Sequence, residues 1–154
     1  MPIVRKKDVP VEQPEKPDAL GSYRAELFSD AGGLTQFGAF TETLPPGSRS
    51  SLKHWHLEED EFIYVLAGKV LVHEGETVTE ITAGDAACFP AKDPAGHFLE
   101  NASDADATYL VVGTRSPRDV ITYPDHDRVL TFNRATQTRV YHTLDGKPAE
   151  APEG

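Results

Sequence analysis

Over residues 23–115 the chain is a succession of short β-prone runs, each cut off after about ten residues by a turn-forming cluster. The runs are 23–28, 34–44, 52–56, 62–66, 69–73, 77–81, 86–89, 98–101 and 107–115, with a further one at 139–143. Between them stand Gly32-Gly33, Pro45-Pro46-Gly47, Gly68, Gly75, Gly84-Asp85, Pro90 to Gly96 and Ser103-Asp104. Helical periodicity is almost absent; Asp125 to Asn133 is the one stretch read as a helical turn. Many short strands with regular turns describe an all-β sandwich or barrel. Thr108-Tyr109-Leu110-Val111-Val112 is the best central strand, with β-branched or aromatic residues at every position but Leu110.

The ends differ from this middle. Pro2, Pro10, Pro14 and Pro17 lie among charges, which predicts an extended arm over residues 1–20 rather than a helix. A β domain then covers 21–145, and a polar tail follows at 146–154. Prolines in such arms make exchange between subunits, or packing on the arm's own barrel, the expected alternatives to disorder.

Composition removes several functions. With 25 Asp+Glu against 15 Lys+Arg the net charge is -10, which disfavours a phosphate backbone, so no nucleic-acid partner is expected. A single cysteine excludes an intramolecular disulfide framework and a Cys-rich zinc module. No apolar run is long enough for a membrane span, and the charged first residues do not form a signal peptide, so a cytoplasmic protein without a membrane partner is expected.

The chemistry lies in four residues. His54 and His56 flank Trp55, and alternate strand residues share a face, so both imidazoles point one way. Glu61 begins Glu-Phe-Ile-Tyr-Val-Leu, where it shares a face with Ile63 and Val65; a carboxylate there needs compensation. His97 opens a later strand. Three imidazoles and one carboxylate suit one borderline divalent ion such as Mn, Fe, Co, Ni or Zn. Placed on one side of an octahedral ion, they leave two neighbouring positions open to water or a chelating substrate. Asn101 and Gln36 are possible pocket residues, each with a plain structural alternative. Cys88 reads as a buried hydrophobe; the Glu58-Glu59-Asp60 run reads as a solvated loop, or as acids that deepen the negative potential beside the ligands; and the arginines at 115, 118, 128, 134 and 139 read as surface ion-pair partners, or one of them as a carboxylate-binding guanidinium.

Gly47, His54-Trp55-His56, Glu61 and Gly68 resemble the first cupin motif, G-x5-H-x-H-x3,4-E-x6-G, with one extra residue after the first glycine. Gly84, Pro90, Gly96, His97 and Asn101 resemble the second, G-x5-P-x-G-x2-H-x3-N, with a longer loop and the glycine directly before the histidine. The likeness extends over about residues 23–115, and 113–127 resembles a subgroup of single-domain bacterial cupins without an assigned reaction. It implies a double-stranded β-helix, or jelly-roll barrel, with His54, His56, Glu61 and His97 around an internal metal, and a homodimer. Cupins include dioxygenases, isomerases, lyases and non-catalytic binding or sensor proteins, so the likeness names no reaction.

Two functions follow as expectations. One is a metal-dependent enzyme on a small oxygenated substrate (a carbonyl, a hydroxy-acid or a sugar), whether a dioxygenase-type oxidoreductase, an isomerase or a lyase; it requires a further polar group beside the open metal positions. The other is a binding or sensor protein with the same ligands and no acid or base within reach of its guest. A barrel whose metal only tightens the core is the plain third option. No general acid or base is identified by the sequence.

Overall fold

The most β-prone segment of the sequence lies at the middle of the largest sheet. A computed structural model describes residues 3–153. The strands in chain order are β1 (Val11–Glu12), β2 (Arg24–Glu26), β3 (Phe37–Leu44), β4 (Trp55–His56), β5 (Glu61–Ala67), β6 (Lys69–Glu74) and β7 (Thr77–Thr82). They continue as β8 (Ala86–Phe89), β9 (His97–Glu100), β10 (Ala107–Thr114), β11 (Arg118–Tyr123), β12 (Arg128–Asn133) and β13 (Thr138–His142). Among the described residues the one α-helical turn is α1 (Phe28–Ala31), between β2 and β3.

β10 is hydrogen-bonded on both sides, to β3 and to β5, inside a sheet ordered β1-β2-β3-β10-β5-β8. A second sheet is ordered β13-β12-β11-β4 and a third β7-β6-β9; all pairings are antiparallel. Strand alternation directs one set of side chains inward. Ile63 and Val65 of β5, Val70 and Val72 of β6, Leu99 of β9 and Tyr109 and Val111 of β10 are buried and pack with Leu44 and Phe89. Each aliphatic side chain removed from water contributes about 1.5–3 kcal/mol, so this cluster holds the sheets face to face. A smaller cluster of Ile121, Leu130 and Phe132 closes the end formed by β11 and β12.

The link between β5 and β6 is the single residue Gly68, at φ +74°. A Cβ there would stand 2.6 Å from the Asp106 carbonyl oxygen, so both the left-handed backbone and the close approach demand glycine.

The arms are tied to the barrel. Val11 and Glu12 pair with Glu26 and Ala25, extending the large sheet, and Val9 is buried. At the other end Pro148 bridges to His142, and the Ala149 N–H donates to the Tyr141 carbonyl. The outward-facing residues of β5 leave an apolar outer face: Phe62, Tyr64 and Leu66 are 37%, 39% and 47% exposed, beside Phe37.

Several sequence expectations need correction. Residues 128–133 form a strand, with only Pro124–His126 making a 3-10 turn; Leu130 and Phe132 alternate with Thr131, and Pro124 opens the turn while a left-handed Asp127 ends it. β11 was not expected. The 23–28 run is broken, because Phe28 enters α1. Cys88 is exposed rather than buried, since it pairs with outward-facing Phe62 and shares its parity. No helix among the described residues is long and apolar enough to cross a membrane.

Candidate metal centre

Three separate strands deliver the clustered side chains. His56 lies on β4, Glu61 begins β5 and His97 begins β9, while His54 is joined to His97 by reciprocal backbone hydrogen bonds of 3.3 and 2.9 Å. His97 Nε2 lies 2.5 Å from Glu61 Oε2; His54 Nε2 is 3.8 Å and His56 Nε2 3.9 Å from the same oxygen. All three imidazoles therefore aim at one carboxylate oxygen, and the ligand atoms of His54, His56 and Glu61 lie within 4.8 Å of one another.

The surroundings set which imidazole nitrogens are free. His54 Nδ1 lies 2.8 Å from the Leu52 carbonyl, an acceptor, so Nδ1–H donates and Nε2 keeps its lone pair. His56 Nδ1 lies 2.6 Å from Asp119 Oδ2. Asp119 is 1% exposed; burial raises its carboxyl, but the His56 bond and the N–H groups of Glu58 and Val120 outweigh that and hold it ionised. It accepts from His56 Nδ1–H and turns Nε2 toward Glu61, the arrangement by which carboxylates orient metal-binding histidines. The Phe89 ring stacks on His97 at 3.7 Å and fixes its plane. Two imidazoles with lone-pair nitrogens, a third against the carboxylate and an anionic oxygen form a donor set that fits a borderline divalent ion.

The local electrostatics agree with this layout. Burial lowers His54 to about 4, Glu61 offsetting only part of it, so that ring is neutral at neutral pH. Burial raises the Glu61 carboxyl, yet the His97 hydrogen bond and the charges of His54, His97 and His56 prevail and bring it down to about 2. For His56, burial lowers the pKa while Asp119 and Glu61 together more than reverse it.

Behind the cluster is a cavity of about 130 Å³ whose wall includes His54, Glu61 and His97 together with Phe40, Glu42, Ile63 and Tyr109. Two of these polar groups were not singled out by the sequence. Tyr109 Oη donates to Glu42 Oε1. The available signal was parity: Glu42 shares a strand face with Phe40 and Leu44 on β3, as Tyr109 does with Val111 on β10. Asp119 carried no such signal, because only the β11–β4 pairing brings it to His56.

Asn101 and Gln36 do not line this cavity. Asn101 is fully buried; its amide donates to the Leu44 and Ala105 carbonyls and its oxygen accepts from Ser103, so its bonds tie the 101–105 loop to the end of β3. Gln36 precedes β3, is exposed, and offers its carbonyl to the Arg115 N–H. Glu59 is not a solvated acid: it binds Arg134 and the Ser116 N–H. Arg115 pairs with Asp30.

Comparison with known proteins gives the family. Residues 40–113 match the family model described as the cupin domain. The crystal structure of a protein from Silicibacter pomeroyi DSS-3, described as a sugar phosphate isomerase from a cupin superfamily, is 34% identical, with a TM-score of 0.86 over 99% of this chain and 100% of that one. A structure from Acidithiobacillus ferrooxidans ATCC 23270 is 24% identical, with a TM-score of 0.83 over 97% and 96% of the two chains, and shares the fold. An oxalate-binding protein of Thermotoga maritima is 38% identical over 69 residues, which are 45% of this chain and about half (54%) of that protein's length. Motifs, barrel and whole-chain likeness agree: the chain belongs to the cupin superfamily.

Proposed function

We propose that this cupin binds one divalent transition-metal ion through His54, His56, Glu61 and His97 and acts as an enzyme on a small oxygenated substrate, by proton transfer of the isomerase kind. The observation that carries this reading is the Glu42–Tyr109 pair on the wall of the cavity that the metal cluster also lines. A binding site needs the cluster alone; an isomerase also needs a group that takes and returns a proton. Moving a carbonyl between adjacent carbons shifts one proton from carbon to carbon and one from oxygen to oxygen, with no external oxidant. When bound, the metal supplies Lewis acidity toward the chelated oxygens. This chain's own contribution is orientation: Asp119 fixes the His56 tautomer, Phe89 fixes the His97 ring, and Phe40, Ile63 and Val111 limit water. The likeness to the Silicibacter protein over the whole chain supports a hydroxyl–carbonyl substrate.

The test is NMR of a panel of aldose and ketose phosphates incubated with Mn- or Zn-loaded and with chelator-stripped protein. The reading expects metal-dependent interconversion of at least one pair, lost in His56→Ala. A second reading, non-catalytic capture of a small dicarboxylate, is favoured by the volume of about 130 Å³ and by the oxalate-binding relative. Tight oxalate binding with no turnover of any pair would support it over the first.

A further inference from the structure

Glu42 is the one carboxylate of the cavity that the metal centre leaves unused. It projects inward from β3 opposite Tyr109 on β10, and the Tyr109 hydroxyl occupies Oε1. Among the described residues its second oxygen has no hydrogen-bond partner. The titratable groups around it are Tyr109 from β10, Glu61 from β5, Glu12 from β1 and Tyr23 just before β2, with His54 and His97 across the cavity. Burial is the main influence on the carboxyl and raises it to about 7; the Tyr109 bond lowers it, and the charges of Glu12 and Glu61 raise it further. Burial keeps Tyr109 itself protonated, well above the ordinary tyrosine range, so it acts as a fixed donor.

We propose that Glu42, braced by Tyr109, is the group that exchanges a proton with the bound molecule, so that an anionic chelating ligand enters the cavity together with one proton. The inference rests on the metal reading above and adds to it the residue that answers the ligand's charge. An ionised carboxylate facing an anionic guest in a cavity poor in water is repelled. A proton taken from solvent onto the free oxygen of Glu42 turns that repulsion into an O–H···O bond. Glu42 is then acid toward an anion, and the same oxygen, ionised, is the base toward a carbon acid.

The experiment is titration calorimetry of zinc-loaded protein with oxalate, a dianion throughout pH 6–9, in two buffers of different ionisation enthalpy. Wild-type protein should take up a proton with each oxalate, approaching one at the alkaline end, with affinity falling by up to about tenfold per pH unit there. Glu42→Gln keeps shape and hydrogen-bonding capacity, and should bind oxalate with no proton uptake and little dependence on pH. Tyr109→Phe removes the donor that favours the carboxylate, so the pH at which affinity begins to fall should move upward. Uptake in Glu42→Gln equal to wild type overturns the role of Glu42 and leaves the metal reading standing. No oxalate heat with wild-type protein overturns the proton-coupled entry of an anion, and heat unchanged in His56→Ala overturns the metal reading with it.

Discussion

Replacing Asp119 by Asn isolates what the carboxylate behind His56 does. Its Oδ1 accepts the N–H groups of Glu58 at 3.0 Å and Val120 at 2.8 Å, and Asn can keep both with its carbonyl oxygen. Oδ2, 2.6 Å from His56 Nδ1, becomes an NH2 group, which cannot accept. The imidazole must then carry its proton on Nε2, the nitrogen that faces Glu61, and that nitrogen cannot ligate. Loss of such an orienting partner lowers metal affinity about 10- to 100-fold, which is about 1.4–2.8 kcal/mol. The metal-free protein also loses a charged buried hydrogen bond worth about 1.5–3 kcal/mol, so its urea midpoint should drop. Zinc competition against a chromophoric chelator measures the affinity, and circular dichroism establishes that the barrel is intact. Wild-type affinity in a folded Asp119→Asn protein would refute the tautomer argument.

Three other outcomes follow. Because the folded pKa of His54 is about 4 rather than 6.5, protons favour the unfolded chain as pH falls between those values, at a cost of order 2 kcal/mol from pH 7 to 5. Glu42, raised to about 7 from 4.5, binds its proton first in the folded state and offsets that loss; metal-free Glu42→Gln should therefore lose more stability than wild type over this window in urea titrations, and equal slopes would contradict the pairing. Leu44 is fully buried in the main cluster, so Leu44→Ala should cost about 2–5 kcal/mol, readable as a lower urea midpoint with metal affinity retained. The apolar outer face formed by Phe37, Phe62, Tyr64 and Leu66 suits the expected homodimer; light scattering should give a dimer for wild type and a monomer for Tyr64→Lys, and a wild-type monomer would exclude that role.

The sequence exposed whatever depends on local alternation. Parity in Glu-Phe-Ile-Tyr-Val-Leu put Glu61 on the side of Ile63 and Val65, and the fold places those two in the core with Phe62, Tyr64 and Leu66 outside. The His-Trp-His spacing likewise put two imidazoles on one side, 5.0 Å apart between ring centroids. What stayed hidden depends on long-range pairing. Asp119 meets His56 only because β11 lies beside β4, and Glu42 meets Tyr109 only because β3 and β10 are in register. Asn101 had the right parity for a pocket residue, but its bonding capacity is consumed by the end of β3 at Leu44 and by the turn ahead of β10. Residues 128–133 were misread because the turn residues at 124–127 and the strand that follows were taken as one segment.

Metal content decides the account most directly. Protein purified without chelators, stripped and then reloaded with excess Zn, Mn or Co and desalted, is analysed by plasma mass spectrometry beside His56→Ala and His97→Ala. The account predicts one ion per wild-type chain and well below one in both variants, with the barrel's circular dichroism preserved. Wild-type protein that retains no ion, or variants that retain a full one, would contradict it.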